Sequence, residues 1–416
     1  MQNIGVIKTT KFKNNAISLV VPVSLSENIT GYNVLAQLMK RGTKNYGSSS
    51  EISRYLQDLY GAVFDIALNK VGEKLFVIFY IGFLDNRFTL YKEDLWDKAI
   101  AFLNEIIYAP AFIEDDFDED ILAQELENHR MYVESVYDDK GHYSMGRVME
   151  MGLMDSVRHP EYGYIKDLEG LTKDVLIELW EALKKKPAFC YASGNITKEE
   201  KVQEKLSTLA ILNEGEQEEA LKSLGERSYN RAAGEVYETM KVQQGKMSLL
   251  YNANASVFQD NYFALVLFNS IFGGGAHSKL FNEVREKHSL AYSIYSTFDK
   301  FSGVMTIGAG VDYRNFEKVK NLIDEELQKM RQGIFTDQEV SAARTKIKSS
   351  LRSMEDSMFS MSSYLTALRV FGISYTVEDV MKGIDGVTKE EIIAVAGGIE
   401  YIAGHYLQGE VQNDND

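Results

Sequence analysis

The sequence predicts an α+β fold of two homologous domains, each an antiparallel sheet packed with helices. Helix-start signals are interleaved with β-rich runs that look like antiparallel pairs. Two short sequence motifs from the first half recur in the same order in the second half. The 416 residues also exceed what one hydrophobic core usually organises, so at least two domains are expected.

Helix starts are predicted where Ser or Thr stands three residues before Glu, because the hydroxyl and the carboxylate then satisfy free backbone N–H groups reciprocally. The clearest pairs are Ser48/Glu51, Thr197/Glu200, Thr336/Glu339 and Thr388/Glu391. Runs rich in β-branched, aromatic and other apolar residues lie between the helices and predict strands. These runs cover residues 16–25, 62–68, 74–83, 188–192, 247–255, 292–297, 304–311 and 401–407.

The recurring motifs indicate a duplication. Gly170–Ile177 resembles Gly386–Ile393, each before a strand-like segment, and Asp85-Asn-Arg87 is echoed by Asp312-Tyr-Arg314, each before a long helix. Between the halves, residues 212–238 are rich in Glu and Gln and have little periodic apolar content, which is typical of a linker. The predicted organisation is a first domain at 1–211, a linker at 212–238 and a second domain at 239–416.

The net charge of the chain argues against one class of function, nucleic-acid binding. The formal net charge is −16, and no basic stripe with interleaved aromatic residues offsets it, so a nucleic-acid partner is not expected. The acidic balance indicates a solvated surface, although in a closed chamber it would favour basic peptides.

Cysteine content and the N-terminus indicate a cytoplasmic protein. Cys190 is the only cysteine, so an intramolecular disulfide and a Cys-based zinc cluster are both excluded. It stands in a predicted strand, as a buried small hydrophobe rather than a nucleophile. The N-terminus lacks the order of a signal peptide, and the apolar run at 16–25 is too short to span a bilayer, so no membrane association is expected.

The strongest local signal is the block from Phe272 to Tyr295, which begins with Gly273, Gly274 and Gly275. Three glycines before a helix allow another backbone to approach closely, or they make a flexible turn. No Lys-Ser/Thr pair follows at P-loop spacing, so a phosphate cradle is a poor interpretation.

The same block resembles the second-domain signature of insulinase/pitrilysin-type zinc peptidases: a glycine-rich turn, Ser-x-Leu-Phe, Arg-Glu-Lys and Leu-Ala-Tyr-Ser. The resemblance implies that Arg285 and Tyr292 reach a substrate held at the zinc of the opposite half. A guanidinium and a phenol can donate to a peptide carbonyl and to the oxyanion formed from it. Taken without the signature, Arg285 would be a surface ion-pair residue and Tyr292 the start of a strand.

The resemblance also implies an inverted zinc motif, H-x-x-E-H, on a first-domain helix. Before Arg41-Gly-Thr, Asn33 and Gln37 stand where the imidazoles should be, and Ala36 replaces the general base. Neutral amides are weak zinc ligands, and Ala cannot accept a proton. Glu125 matches the third ligand but cannot make a site alone, so no metal and no cofactor are expected.

A replacement metal site is the remaining alternative for this region. Glu125 and His129 are four residues apart on one predicted helix and could both bind an ion. However, His129 also belongs to an apolar stripe with Leu122, Leu126 and Val133, which favours a core histidine. The other histidines, His142, His159, His277, His288 and His405, show no metal-ligand spacing.

The resemblance implies two α+β halves facing each other as a clamshell, and two-chain assemblies in which one chain bears the zinc motif and the other the Arg/Tyr pair. This sequence has the second profile. The leading hypothesis is a non-catalytic subunit that binds extended peptide and supplies Arg285 and Tyr292 to a zinc-bearing peptidase partner of the same family, as a heterodimer. The alternatives are a scaffold on an inactive peptidase fold, or a metallopeptidase with a relocated metal.

Overall fold

The computed structural model describes residues 3–115, 117–214 and 227–409. By its contacts the chain divides into two compact units. The described residues of the first unit fall within Met1–Val133, Pro160–Leu221 and Ser353–Gly372. Those of the second fall within Glu134–His159, Lys222–Arg352 and Ile373–Asp416.

The first unit contains a five-stranded sheet. Its strands are β1 (Ile4–Lys8), β2 (Asn14–Ser24), β3 (Val63–Val71), β4 (Lys74–Leu84) and β5 (Phe189–Gly194). Their order is β1-β5-β2-β4-β3. β1 and β5 run parallel, whereas the other neighbours are antiparallel.

The second unit contains another five-stranded sheet. Its strands are β6 (Gly234–Met240), β7 (Gly245–Asn252), β8 (Ala291–Phe298), β9 (Val304–Val311) and β10 (Glu400–Gly409). Their order is β6-β10-β7-β9-β8, again with one parallel pair, β6 and β10. The two sheets therefore have the same topology, strand for strand.

The α-helices are α1 (Ile29–Met39), α2 (Ser49–Asp58), α3 (Leu95–Tyr108), α4 (Glu119–Asp138), α5 (Lys140–Gly152), α6 (Lys173–Lys184), α7 (Glu199–Leu206), α8 (Ile211–Glu214), α9 (Tyr262–Phe272), α10 (Phe316–Arg331), α11 (Asp337–Met354), α12 (Met358–Val370), α13 (Val377–Gly386) and α14 (Lys389–Gly398). A π-helix covers Phe281–Lys287.

The recurring motifs occupy equivalent places in the two units. Asp85 and Asp312 each accept a hydrogen bond from the backbone N–H two residues later, and each forms an ion pair with the arginine there. Thr172 and Thr388 cap α6 and α14, the helices that precede the last strand of each sheet. The predicted α+β fold with two related sheets is confirmed.

Each sheet, expected to be antiparallel, is mostly antiparallel with one parallel pair at an edge. Antiparallel neighbours here include hairpins, such as β3 with β4 and β8 with β9. The parallel partners, β1 with β5 and β6 with β10, are far apart in the chain and are not constrained by a short turn. The clamshell arrangement of the halves stays a prediction.

All the predicted strands are present, and two strands were missed. β1 is short, and β6 is a polar, largely exposed edge strand whose residues do not alternate in character. The last five residues of the predicted linker, 234–238, lie in β6, whereas residues 215–226 are outside the described chain. Thr197 does not cap α7, which begins at Glu199 without a side-chain cap.

Each unit takes one helix from the other half of the sequence. Helix α5 packs on β7 and β10 of the second sheet, while α12 packs on β2 and β5 of the first. In the first unit Tyr80 lies edge-on to Phe359 with ring centroids 5.2 Å apart. The compact units are defined by contacts, and each contains segments from both halves of the sequence. The division of the chain into duplicated halves at 1–211 and 239–416 therefore stays a prediction.

Apolar burial agrees with the sequence pattern. Cys190 is fully buried in β5, and burial raises the pKa of its thiol, which confirms the small-hydrophobe interpretation. No α-helix in the described part of the chain is both long enough and apolar enough to cross a membrane.

A buried polar network fastens α5 to the second sheet. His405 on β10 is fully buried, with Nε2 3.0 Å from a carboxylate oxygen of Glu238 and Nδ1 3.0 Å from the hydroxyl of Ser144. The Ser144 hydroxyl also lies 2.9 Å from that of Ser248 on β7, and the hydroxyl of Tyr143 donates to Glu238 at 2.8 Å. Burial lowers the pKa of His405 although Glu238 opposes the shift.

We therefore expect stability to depend on the neutral form of His405. Because the folded pKa lies below the ordinary value of 6.5, the unfolded chain takes up the proton first as the pH falls. The contribution of neutral His405 to the free energy of unfolding is complete above pH 6.5. It is lost as the pH falls from 6.5 through the lower pKa of the folded state. In His405→Gln, the fall in the free energy of unfolding from about pH 7 to about pH 5 should be shallower than in wild type.

Urea unfolding at a series of pH values measures this slope. His142→Gln is the matched control. His142 lies at the exposed start of α5, the helix that carries Ser144, and its side chain is 77% accessible. It should keep the wild-type slope. Equal slopes for wild type and His405→Gln would contradict the assignment.

Candidate functional site

Helix α1 carries the three positions where the sequence departs from a zinc motif. The Asn28 side chain caps it by accepting from the backbone N–H of Gly31 at 2.8 Å. Asn33 and Gln37 are one turn apart on its partly exposed side, since its other side chains fill the core. Ala36 is 1% exposed and belongs to that core.

A cavity of about 570 Å³ lies beside α1 in the first unit. It is bounded by α1 and the residues just after it, by β3 and by α4. The lining residues are Asn33, Gln37, Lys40, Arg41, Ser49, Asp65, Ile66, Ala67, Leu68, Glu125, Asn128, His129 and Tyr132. Three of the predicted positions, Asn33, Gln37 and Glu125, therefore do share one site.

Glu125 is neutralised by Arg41 within this cavity. The Glu125 side chain is only 6% exposed, and one of its oxygens accepts a hydrogen bond from Nε of Arg41 and forms an ion pair with Nη2. The same Nη2 donates to the side-chain oxygen of Gln124 at 3.1 Å. A second ion pair, from Lys40 Nζ to Asp65 at 2.9 Å, lies in the same lining.

The amides that replace the imidazoles differ in their bonding. The Asn33 amide nitrogen donates to the carbonyls of Ile29 at 3.0 Å and Glu161 at 2.8 Å, so it braces the helix against the chain at 161. Within the described part of the chain, the Gln37 amide has no hydrogen-bond partner. Gln37 is therefore free to bond a ligand in the cavity.

His129 is a buried lining residue with its own hydrogen-bond partner. Its Nε2 lies 2.9 Å from the carbonyl oxygen of Tyr162, so the proton is on Nε2 and donates to that carbonyl. Burial lowers the pKa of His129, and the bond to Tyr162 opposes the shift only in part. These contacts support the interpretation of His129 as a satisfied core histidine.

The three glycines of the second unit let a loop lie against strand β8. The carbonyl of Gly273 accepts from the backbone N–H of Ser296 at 2.9 Å. A Cβ at Gly273 would be 2.8 Å from that nitrogen and 2.4 Å from the Ser296 hydroxyl. At Gly274 it would lie 2.8 Å from the Cα of Ser270, and Gly275 has a φ of +151°. The triplet is therefore a close-approach device and not a flexible turn.

The π-helix that follows the loop carries Arg285, and the start of β8 carries Tyr292, so that the two side chains lie side by side. The guanidinium of Arg285 lies 4.8 Å from the ring centre of Phe281 and 5.9 Å from that of Tyr292. Tyr292 is 75% exposed. Among the described residues, Arg285 has one ion pair, to Glu286 at 3.7 Å, and the Tyr292 hydroxyl has no partner. Both side chains therefore hold free donors towards solvent.

Comparisons with known proteins identify this architecture. The Peptidase M16 inactive domain family matches residues 171–347. A Bacillus subtilis protein named "Probable inactive metalloprotease YmfF" is 29% identical over 413 residues, covering 97% of this chain and 95% of that protein. A crystal structure of a conserved protein from Enterococcus faecalis V583 has a TM-score of 0.88 and 28% identity, covering 99% of this chain and 97% of that one.

The chain is a homologue of the M16 (insulinase/pitrilysin) peptidases. A structure of a peptidase M16 inactive domain from Pseudomonas fluorescens has the same fold, with a TM-score of 0.79 at 16% identity over 99% of this chain and 97% of that one. The resemblance deduced from the residues is confirmed, and both the matched family model and the B. subtilis relative are described as inactive M16 proteins.

The residues at the predicted zinc-motif positions do not fit a zinc ion. Two neutral amides stand in place of imidazoles, and the one carboxylate already has a guanidinium partner. Within residues 3–115, 117–214 and 227–409, no group of three or more His, Cys, Asp or Glu side chains could hold a metal. Glu125 and His129 share the cavity without a third such ligand.

Sequence reasoning missed Arg41, which decides the charge state of this cavity. A signal was available, because Arg41 is four residues beyond Gln37 and follows α1 by only two residues. It also missed Lys279, which is 12% exposed and forms ion pairs with Glu339 at 3.1 Å and Glu326 at 3.8 Å. Lys279 thus ties the residues before the π-helix to α10 and α11.

Gly273→Ala is expected to lower the free energy of unfolding by about 1–3 kcal/mol, because its Cβ would push the loop away from Ser296. Gly397→Ala is the control, since nothing lies within 4 Å of the added Cβ in α14. That control should be neutral or stabilising, because Ala favours a helix over Gly. Urea unfolding of both variants measures the difference. Equal stability of the two variants would show that Gly273 does not need to lack a Cβ.

Proposed function

We propose that this M16 homologue is the non-catalytic subunit of a two-chain zinc peptidase. In this role it binds extended peptide and presents Arg285 and Tyr292 to the active site of a partner that carries H-x-x-E-H. The supporting observation is the contrast between its two units. The first has no set of metal ligands among its described residues, whereas the second keeps two exposed donors side by side.

The chemistry of this pair suits a substrate held by another chain. The guanidinium is permanently charged and offers several N–H donors, and the phenol offers one O–H. Both can donate to a peptide carbonyl and stabilise the oxyanion that forms when water attacks it. Their cation–π contact orients Arg285 without consuming its donors.

Open sheet edges support the peptide-binding part of the proposal. Among the described strands, β3 pairs only with β4, and β8 pairs only with β9. An exposed edge can add an extended peptide as a further strand, with main-chain bonds supplying affinity and little sequence preference. Residues 65–68 of β3 also line the cavity with the free Gln37 amide, so a peptide on this edge would reach that amide.

Arg285→Ala should reduce kcat of the complex reconstituted with its zinc-bearing partner by about 100- to 1000-fold, as expected when one oxyanion donor is lost. Tyr292→Phe keeps the ring beneath Arg285 and removes the hydroxyl, so it should lower kcat with little change in KM. Cleavage of a quenched fluorescent peptide measures both.

Arg314→Ala is the matched control for these two variants. Arg314 is another exposed arginine of the second unit, with a side chain 74% accessible and an ion pair to Asp312. It should leave kcat unchanged. If the complex with Arg285→Ala remained fully active, the in-trans role would be wrong.

A peptide-binding measurement distinguishes this role from that of a pure scaffold. The chain alone should raise the fluorescence anisotropy of a labelled extended peptide without cleaving it, because sheet-edge pairing needs no metal. Gln37→Leu should weaken this binding, and Gln57→Leu, at a position on α2 outside the cavity lining, should not. Assembly with the partner but no peptide binding would favour the scaffold.

A further inference from the structure

We infer that Arg41 is an internal cation that takes the electrostatic place of a metal ion at Glu125 and keeps divalent cations out of the first unit's cavity. This inference concerns only the first unit. It does not depend on whether Arg285 and Tyr292 act on a partner's substrate.

The first supporting observation is the burial of Glu125. Its side chain is 6% exposed, and an ionised carboxylate removed from water to that extent needs a positive partner. In the M16 pattern this position belongs to the third zinc ligand, and the partner would be the metal. Here Nε of Arg41 donates to one oxygen of the same carboxylate, and Nη2 forms an ion pair with that oxygen.

The second observation is that the guanidinium is itself held in place. Its Nη2 also donates to Gln124 at 3.1 Å, one residue before Glu125. The other oxygen of Glu125 is 3.5 Å from the amide nitrogen of Asn128. A metal ion approaching Glu125 would therefore have to displace an ordered guanidinium and not only solvent.

The third observation is the balance of charge in the lining. Lys40 is paired with Asp65, and Arg41 with Glu125, so no carboxylate of the lining lacks a cation. Asn33 and Gln37 add no charge. A divalent ion would bring uncompensated positive charge into this cavity, which is unfavourable at a partly buried site.

The consequence is that loss of the imidazoles accounts for only part of the loss of metal binding. Restoring histidine at both amide positions should give a weak zinc site while Arg41 remains. Removing the guanidinium as well should free the Glu125 carboxylate as a third ligand. Arg41 thus helps to exclude divalent cations from the cavity.

The test is a zinc titration by isothermal calorimetry. It compares Asn33→His/Gln37→His with the same pair plus Arg41→Met. The triple variant should bind one zinc ion about 10- to 100-fold more tightly than the double variant, the range over which groups around metal ligands change affinity. Asn33→His/Gln37→His/Lys40→Met is the charge-matched control, because it removes one cation from the same lining without freeing Glu125.

Equal zinc affinity in the Arg41→Met and Lys40→Met triple variants would overturn the inference, since the effect would then be one of net charge alone. Circular dichroism before titration establishes that each variant is folded.

A second measurement uses the native amides and needs no zinc. Arg41→Met should lower the urea midpoint by leaving the Glu125 carboxylate buried without its cation, and adding Glu125→Gln should recover most of the loss. Independent, additive effects of the two substitutions would show that Arg41 does not compensate Glu125, and would overturn the inference as well.

Discussion

Burial of both faces of each five-stranded sheet is the constraint on which the rest of this structure depends. Nine of the eleven residues of β2 are buried in an unbroken run, and all eight residues of β9 are buried. A strand that is apolar on both sides requires cover on both faces of its sheet. One face is covered by helices from the same half of the sequence, and the other by α12 in the first unit and α5 in the second.

This constraint explains why the sheets share a topology and why their edges are the places for function. The central strands are paired on both sides and largely buried. The edge strands β3 and β8 each keep one unpaired side among the described strands. The first cavity includes residues 65–68 of β3, and the glycine-rich loop is bonded to β8 through Ser296. In both units the chemically relevant side chains lie on the edge strand or on helices and turns beside it.

The two units have diverged in charge and bonding at these equivalent places. In the first, the carboxylate that would bind a metal is buried and paired with Arg41, and the nearby amides are neutral. In the second, Arg285 and Tyr292 remain exposed, with their donors directed to solvent. This distribution agrees with the similarity of the chain to inactive M16 proteins.

Most of the fold could be predicted from the sequence, because it depends on local patterns. The strand runs, the caps at Ser48, Thr336 and Thr388, and the repeated Asp-x-Arg motif depend on residues close together in the chain. β6 escaped prediction because an exposed edge strand has no buried face to impose alternation on its residues. The direction of β1 and the packing of α5 and α12 escaped because they depend on partners distant in sequence.

For the candidate site, too, some features could be predicted from the sequence and others depended on the tertiary structure. By itself the sequence determined the chemical types present: amides and Ala at the zinc motif, a lone Glu125, and the glycine block with Arg285 and Tyr292. Only the tertiary structure decided that Arg41 neutralises Glu125 and that Gly273 lies against Ser296. Residue identity sets which bonds and charges are possible. The folding of distant segments onto one another sets which residues become neighbours and how deeply each side chain is buried. Neighbours and burial then decide which of the possible bonds form.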